Sequence, residues 1–337
     1  MVGHRKKHLL VFLVVIALFL IFLYLDLAIA QIYMSPLDVL NGIFGTGEPI
    51  YTRIVREYTA PRTTMACFVG AGLGISGAVM QALFRNPMAS PYILGLSSGA
   101  SLGAAIGMLF PIAFLPVFLV SPILAFIFCL STMMLVYSLA YVDGKVPTET
   151  LLLSGIAVGA LISAVVSMLT YFSDERLADI VFWSMGNLSQ YGWNNVLIAA
   201  PLIVLGIMFM MSRSRELNAM MISDANAKNL GVNVKAIRLE ILVMASLVTA
   251  AGVAFVGVIG FVGLVVPHVM RILLGPNNRV LLPASALTGA MFLVACDYIS
   301  RVIIPSQIVP VGIITAIIGA PYFVYLLRRR KSEVGWN

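Results

Sequence analysis

The side chains able to do chemistry are few and widely scattered along this 337-residue chain. His268 is the one histidine beyond the amino-terminal tail, and Cys67, Cys129 and Cys296 show no close spacing, so neither a metal site nor a disulfide framework is suggested. A hydrolase needs a nucleophile with a base or metal partner, and isolated serines beside one internal histidine do not supply that constellation. The phosphate-cradling GxxxxGK[ST] run is absent as well, so any ATP used here is hydrolysed on another chain. What remains is pairing and positioning. Asp297 and Arg301 stand at i and i+4, as do Lys145 and Glu149, a spacing that lets opposite charges meet on one helix face. Arg85-Asn86-Pro87 interrupts an apolar run and frees backbone polar groups that something must satisfy.

The elements that must carry these residues are transmembrane helices. A content of 61% hydrophobic and 10% charged residues does not suit a soluble domain. Stretches able to cross about 30 Å of hydrocarbon recur along the chain. Ten spans are predicted, at Leu9–Ala30, Thr63–Phe84, Ile93–Phe110, Val117–Tyr141, Leu151–Phe172, Val196–Met211, Ile241–Ile259, Phe261–Leu274, Val280–Ile299 and Ile308–Leu327. The third and eighth are short and punctuated by glycine or proline, which leaves tilted, broken or re-entrant helices open. The fold class expected is an all-α polytopic membrane protein with a single transmembrane domain over residues 1–337.

Basic residues are enriched on cytoplasmic flanks, and with both termini inside, 16 of the 21 fall on the inner side. Only Arg53, Arg56, Arg62, Arg176 and Arg301 then lie outside, with eight of the 14 acids. The formal charge of +7 is thus an orientation signal in the cell membrane, not a nucleic-acid footprint. A cleaved signal peptide competes for the first span, because Arg5, Lys6 and Lys7 precede an apolar run that closes on Ala28-Ile29-Ala30.

The segment Ala60–Ser101 opens on an arginine, runs through closely spaced glycines and breaks at Arg85-Asn86-Pro87. Interrupted helices survive in lipid only against protein or a water-lined cavity, so the break points to the wall of a transport path. Gly70, Gly74 and Gly77 suit close helix packing. A faint repeat relates Ala71–Gly95 to Ala251–Gly275, with Pro87 and Pro267 in register. Between Met211 and Ile241, Leu217, Met220, Met221, Ala225 and Leu230 are spaced for one or two short amphipathic helices, with Ser223-Asp224 as a cap and Gly231 as a stop. Such a knob fits a groove on a partner, or lies under the bilayer with its methionines in lipid.

At this point the residues carry a likeness. PRTTMACFVGAGLGISGAVMQALFRNPMASPYILGLSSGAS resembles the signature of the FecCD-type permeases of ABC importers, the family that carries vitamin B12, ferric siderophores and haem. FWSMGNLS, GVIGFVGLVVPHVMRILLGPNNRVLLPASALTGA and PVGIITAIIGAPYFVYLL are similar to that family in order and spacing. The resemblance implies a homodimer of ten-span subunits, two cytoplasmic ATPase subunits that bind ATP and magnesium, and a substrate-binding protein docking from outside. The chain itself would bind no cofactor and catalyse no covalent step. The 211–241 loop would be the ATPase-coupling segment, with Met220, Met221, Asp224, Ala225, Leu230 and Gly231 in it. Arg62 and Arg301 match docking positions for the binding protein; Thr59 replaces a second arginine common there, and Arg56 or Arg53 would substitute. The inner gate would fall at Asn86, Pro87 and Met88 and at Thr148 and Glu149. A smaller polar residue is usual at Glu149, which would otherwise face solvent or pair with Lys145.

The competing reading is an ion-coupled secondary transporter, which usually leaves a buried acid at mid-membrane; Asp26 and Asp297 lie instead near span ends. The substrate expected is a metal chelate such as an iron-siderophore, haem or cobalamin, with a molybdate-type oxyanion as the smaller option.

Overall fold

The computed structural model describes residues 2–29, 34–110, 116–142, 146–188, 192–304 and 307–333. Lys145 and Ser189 lie outside them, so the expected Glu149–Lys145 pair does too. The described residues are helical almost throughout. In order they form α1 (Val2–Ala28), α2 (Pro36–Phe44), α3 (Pro49–Arg53), α4 (Ala60–Leu83), α5 (Leu96–Leu109), α6 (Val117–Ala140), α7 (Thr148–Tyr171), α8 (Leu177–Ser184), α9 (Trp193–Ser212), α10 (Ser214–Ile222), α11 (Asp224–Asn229), α12 (Val234–Val256), α13 (Val262–Leu274), α14 (Asn278–Val302) and α15 (Val311–Glu333).

Each of the ten predicted spans holds a helix. Among the described residues seven stretches are long and apolar enough to cross a membrane, and α3 runs through a π-helical turn at Ile54–Thr59 into α4 as one helix of 35 residues. α5, α13 and the apolar part of α15 are shorter. The third and eighth spans, which their glycines and prolines left open to tilted, broken or re-entrant forms, are the short helices α5 and α13, whereas α15 starts after Pro310 and runs for 23 residues.

The core forms around α4, which is buried along nearly its whole length between α12, α13 and α14. Its glycines make that burial possible. A Cβ on Gly77 would stand 1.7 Å from the Gly263 carbonyl oxygen, and one on Gly70 2.3 Å from that of Gly289. Two backbones can approach so closely only where neither carries a side chain. α1, α7 and α15 lie outside this core and expose apolar side chains such as Leu13, Leu161, Met168 and Ile317.

A second break separates α12 from α13 at residues 257–261, where Gly257 and Phe261 both adopt positive φ, at 72° and 66°. Gly257, Gly186 and Gly312 lie against the carbonyls of Trp183, Val258 and Met185, and the Asn187 amide donates to Val256 O at 2.8 Å. Broken backbone is thus packed against broken backbone. The two breaks are out of phase with the sequence repeat: Pro87 follows the end of α4, whereas Pro267 lies inside α13.

Candidate functional site

The break after α4 is a helix stop built on an unusual residue. The amide of Asn86 donates to Gln81 O at 3.2 Å and that of Arg85 to Ala82 O at 3.3 Å, the paired bonds that close a helix when the next residue turns left-handed. Arg85 is that residue, at φ 50°. Glycine is the usual occupant, because the left-handed region costs a side-chain-bearing residue about 1–2 kcal/mol. The Asn86 side chain then accepts from the Met88 amide at 3.0 Å, shaping the turn through Pro87, and Gln81 donates to Leu264 O at 3.0 Å, fixing the helix end to α13. Asn86, Pro87 and Met88 are half-buried.

Beside this turn lies the α10–α11 loop. Its helices form as the residue spacing predicts: Ser223 caps α11 by accepting from the Asn226 amide at 2.9 Å, and Gly231 ends it at φ 81°. Leu217 and Met220 are buried in the bundle core, and Met221 lies against Arg271 and Asn278. Both methionines thus have protein contacts, while Ile222 and Leu230 are exposed. The Met220 side chain, expected within the coupling segment, is buried and anchors the loop. Ile222, Ala225, Leu230 and Gly231 point outward.

Asp224 joins loop and break. One oxygen pairs with the guanidinium of Arg85, the other with Arg238 of α12 at 2.8 Å, and Arg85 Nε donates to Met220 O at 2.9 Å. All three side chains keep partial contact with solvent. Sequence reasoning singled out Asp224 and noted Arg85 only as part of a break; Arg238 was missed, because its partner is 14 residues away across a turn.

At the opposite end of α4 the charges are sealed. Arg62 grips Asp297 with two bonds of 2.7 Å, and Arg301 binds Asp26 and, at 3.5 Å, Asp297. Thr63 donates to Asp26 at 2.6 Å. The four side chains expose 8% or less and tie α1, α4 and α14 together. Arg62 and Arg301 were expected to present themselves to a docking protein; here both face inward, because two carboxylates buried on neighbouring helices demand them. The i,i+4 contact of Asp297 with Arg301 was legible, whereas Asp26 gave no sign beyond its place at a span end. Arg56 is exposed, and its guanidinium caps the end of α2 through Ile43 O at 2.8 and 3.1 Å.

Thr148 and Glu149 open α7, the first half-buried and the second exposed. Further along, α7 packs against the turn at Pro91–Leu94, where Gly155 lies against Ile93 O. Among the described residues no hydrogen bond links Thr148 or Glu149 to Asn86, whose side chain bonds the Met88 amide. In the middle of α7, Ser163 meets Ser98 of α5 at 3.0 Å on a face open in the single chain. Exposed hydroxyls there suit water better than lipid tails.

Comparison with known proteins supplies the context. The FecCD transport family matches residues 17–329. The cobalamin import system permease protein of Halobacterium salinarum is 45% identical, over 90% of this chain and 79% of its own length. The Fe(3+) dicitrate transport system permease protein of Escherichia coli is 41% identical over 82% and 86% of the two chains, and the hemin transport system permease protein of Yersinia pestis 40% over 81% and 82%. A solved structure described as an inward-facing metal-chelate type ABC transporter superposes with a TM-score of 0.84 at 31% identity, covering 95% of this chain and 99% of that one. A chain with this core, these breaks and this loop belongs to the FecCD transport family.

Proposed function

We propose that this protein is the membrane-spanning permease subunit of an ATP-driven importer, working as a homodimer with two cytoplasmic ATPase subunits and an external substrate-binding protein. The observation that carries this reading is the α10–α11 loop: a knob anchored by Leu217 and Met220, showing Ile222, Ala225 and Leu230 outward, and bonded through Asp224 to the break in α4. A loop so placed takes motion from a partner and delivers it to the pathway. The pathway runs along α7 and α5, past Ser163 and Ser98, between two copies of the chain. Its inner gate is formed by Asn86, Pro87 and Met88 with Thr148 and Glu149. Small polar groups such as Asn86 and Thr148 touch a passing solute without trapping it.

Arg56 is the docking arginine for the binding protein that remains at the surface, and it keeps donors free after capping α2. Metal chelates are the substrate class, since the three relatives are named for cobalamin, hemin and ferric dicitrate. No step is covalent. Each partner stabilises one of two pathway states, and alternation between them moves the solute.

The test is uptake of cobalamin, haemin and ferric citrate into liposomes. Chain, ATPase and binding protein together are expected to take up one of them only when ATP is supplied. Uptake by this chain alone under an ion gradient would overturn the reading in favour of a secondary transporter.

A further inference from the structure

The left-handed Arg85 has a use that its backbone position alone does not explain. A glycine would close α4 without strain, yet an arginine stands there and its side chain reaches out of the break. It meets both helices of the loop, through the carbonyl of Met220 at the end of α10 and the carboxylate of Asp224 at the start of α11. Arg238 holds the far oxygen of the same carboxylate, so α12 is tied in as well. Asn86 follows Arg85 directly. Any displacement of the loop therefore pulls on the residue adjoining the expected gate.

Resting on the coupling role proposed above, we infer that Arg85 is the positioning residue that transmits loop motion to the gate, with Asp224 as the pivot shared between Arg85 and Arg238. The fork of Arg85 suits this role. One nitrogen follows α10 and another follows α11, so the arginine reads the two helices as a unit. Partial exposure suits it as well, because a pair in contact with water exchanges partners more readily than a sealed one.

The experiment measures motion at the turn directly and needs no knowledge of the substrate. Met88→Cys is introduced into a chain whose Cys67, Cys129 and Cys296 are changed to Ala, and the permease–ATPase complex is placed in lipid nanodiscs. Labelling of the new thiol by a charged methanethiosulfonate reagent is timed without nucleotide and with ATP, magnesium and vanadate. Nucleotide is expected to change the labelling rate by at least about fivefold, the lower end of typical coupling between sites. Arg85→Gly, which keeps the left-handed turn, is expected to abolish that change while the ATPase still co-purifies and hydrolyses ATP. Asp224→Asn is expected to abolish it also, and Arg85→Lys to restore part of it. A full nucleotide response in Arg85→Gly overturns the inference and leaves the coupling loop standing. No response in the unsubstituted chain overturns both.

Discussion

The two ends of α4 carry the same chemistry under opposite conditions. Arg62 faces Asp297 in a cluster of four charges closed to solvent, whereas Arg85 faces Asp224 in a trio that keeps water on one side. A buried pair strongly penalises the loss of one partner, because the other charge is stranded in a medium that cannot solvate it. A half-exposed pair forfeits little, since water replaces what is lost. The first end is therefore a clamp on α1, α4 and α14, and the second a joint.

The largest effect expected is at the clamp. Asp297→Ala removes the buried carboxylate that Arg62 holds with two bonds and should destabilise the protein by about 3–5 kcal/mol, read as a fall in thermal midpoint or a loss of folded material in detergent. The double change Arg62→Met with Asp297→Leu removes both charges and should recover much of that loss; if it does no better than the single, the stranded charge is not the cause. Asp26→Asn comes next, at about 1.5–3 kcal/mol, because it weakens the charge-assisted side-chain bonds to Arg301 and Thr63 while keeping the shape.

The joint should respond in function more than in stability. Asp224→Ala is expected to lower stability by under about 1 kcal/mol, as for other half-exposed pairs, while ATP-driven uptake collapses. A large fall in thermal midpoint there would erase the distinction between the two ends. The smallest effect is that of salt. Above about 1 M the Debye length shrinks to about 3 Å, which weakens the exposed trio and leaves the buried cluster intact. Coupling should therefore decline with salt while the thermal midpoint does not; parallel declines would show that the clamp is open to solvent.

Much of this architecture was legible in the order of residues. The spans followed from apolar length, the stop at Gly231 and the cap at Ser223 from local chemistry, and the close packing of α4 from Gly70, Gly74 and Gly77. The likeness that named the family rested on short runs recurring in one order. The direction in which Arg62, Arg301 and Met220 face was not legible. Each sits at a helix end or on an amphipathic helix where inward and outward readings have the same local spacing.

The order of residues alone marks this chain as a bundle of membrane helices with a break at Arg85-Asn86-Pro87 and one or two short helices between Met211 and Ile241. Those features depend on hydrophobicity, proline, glycine and capping within a few residues of one another. Which charges meet follows from helix packing. Arg62 and Asp297 are 235 residues apart, and Arg85 and Asp224 are 139 apart. Pairing over such distances depends on how helices are laid side by side, through glycine contacts that set their spacing and depth. That packing sealed one ionic cluster and left the other open, and so distinguished a clamp from a joint.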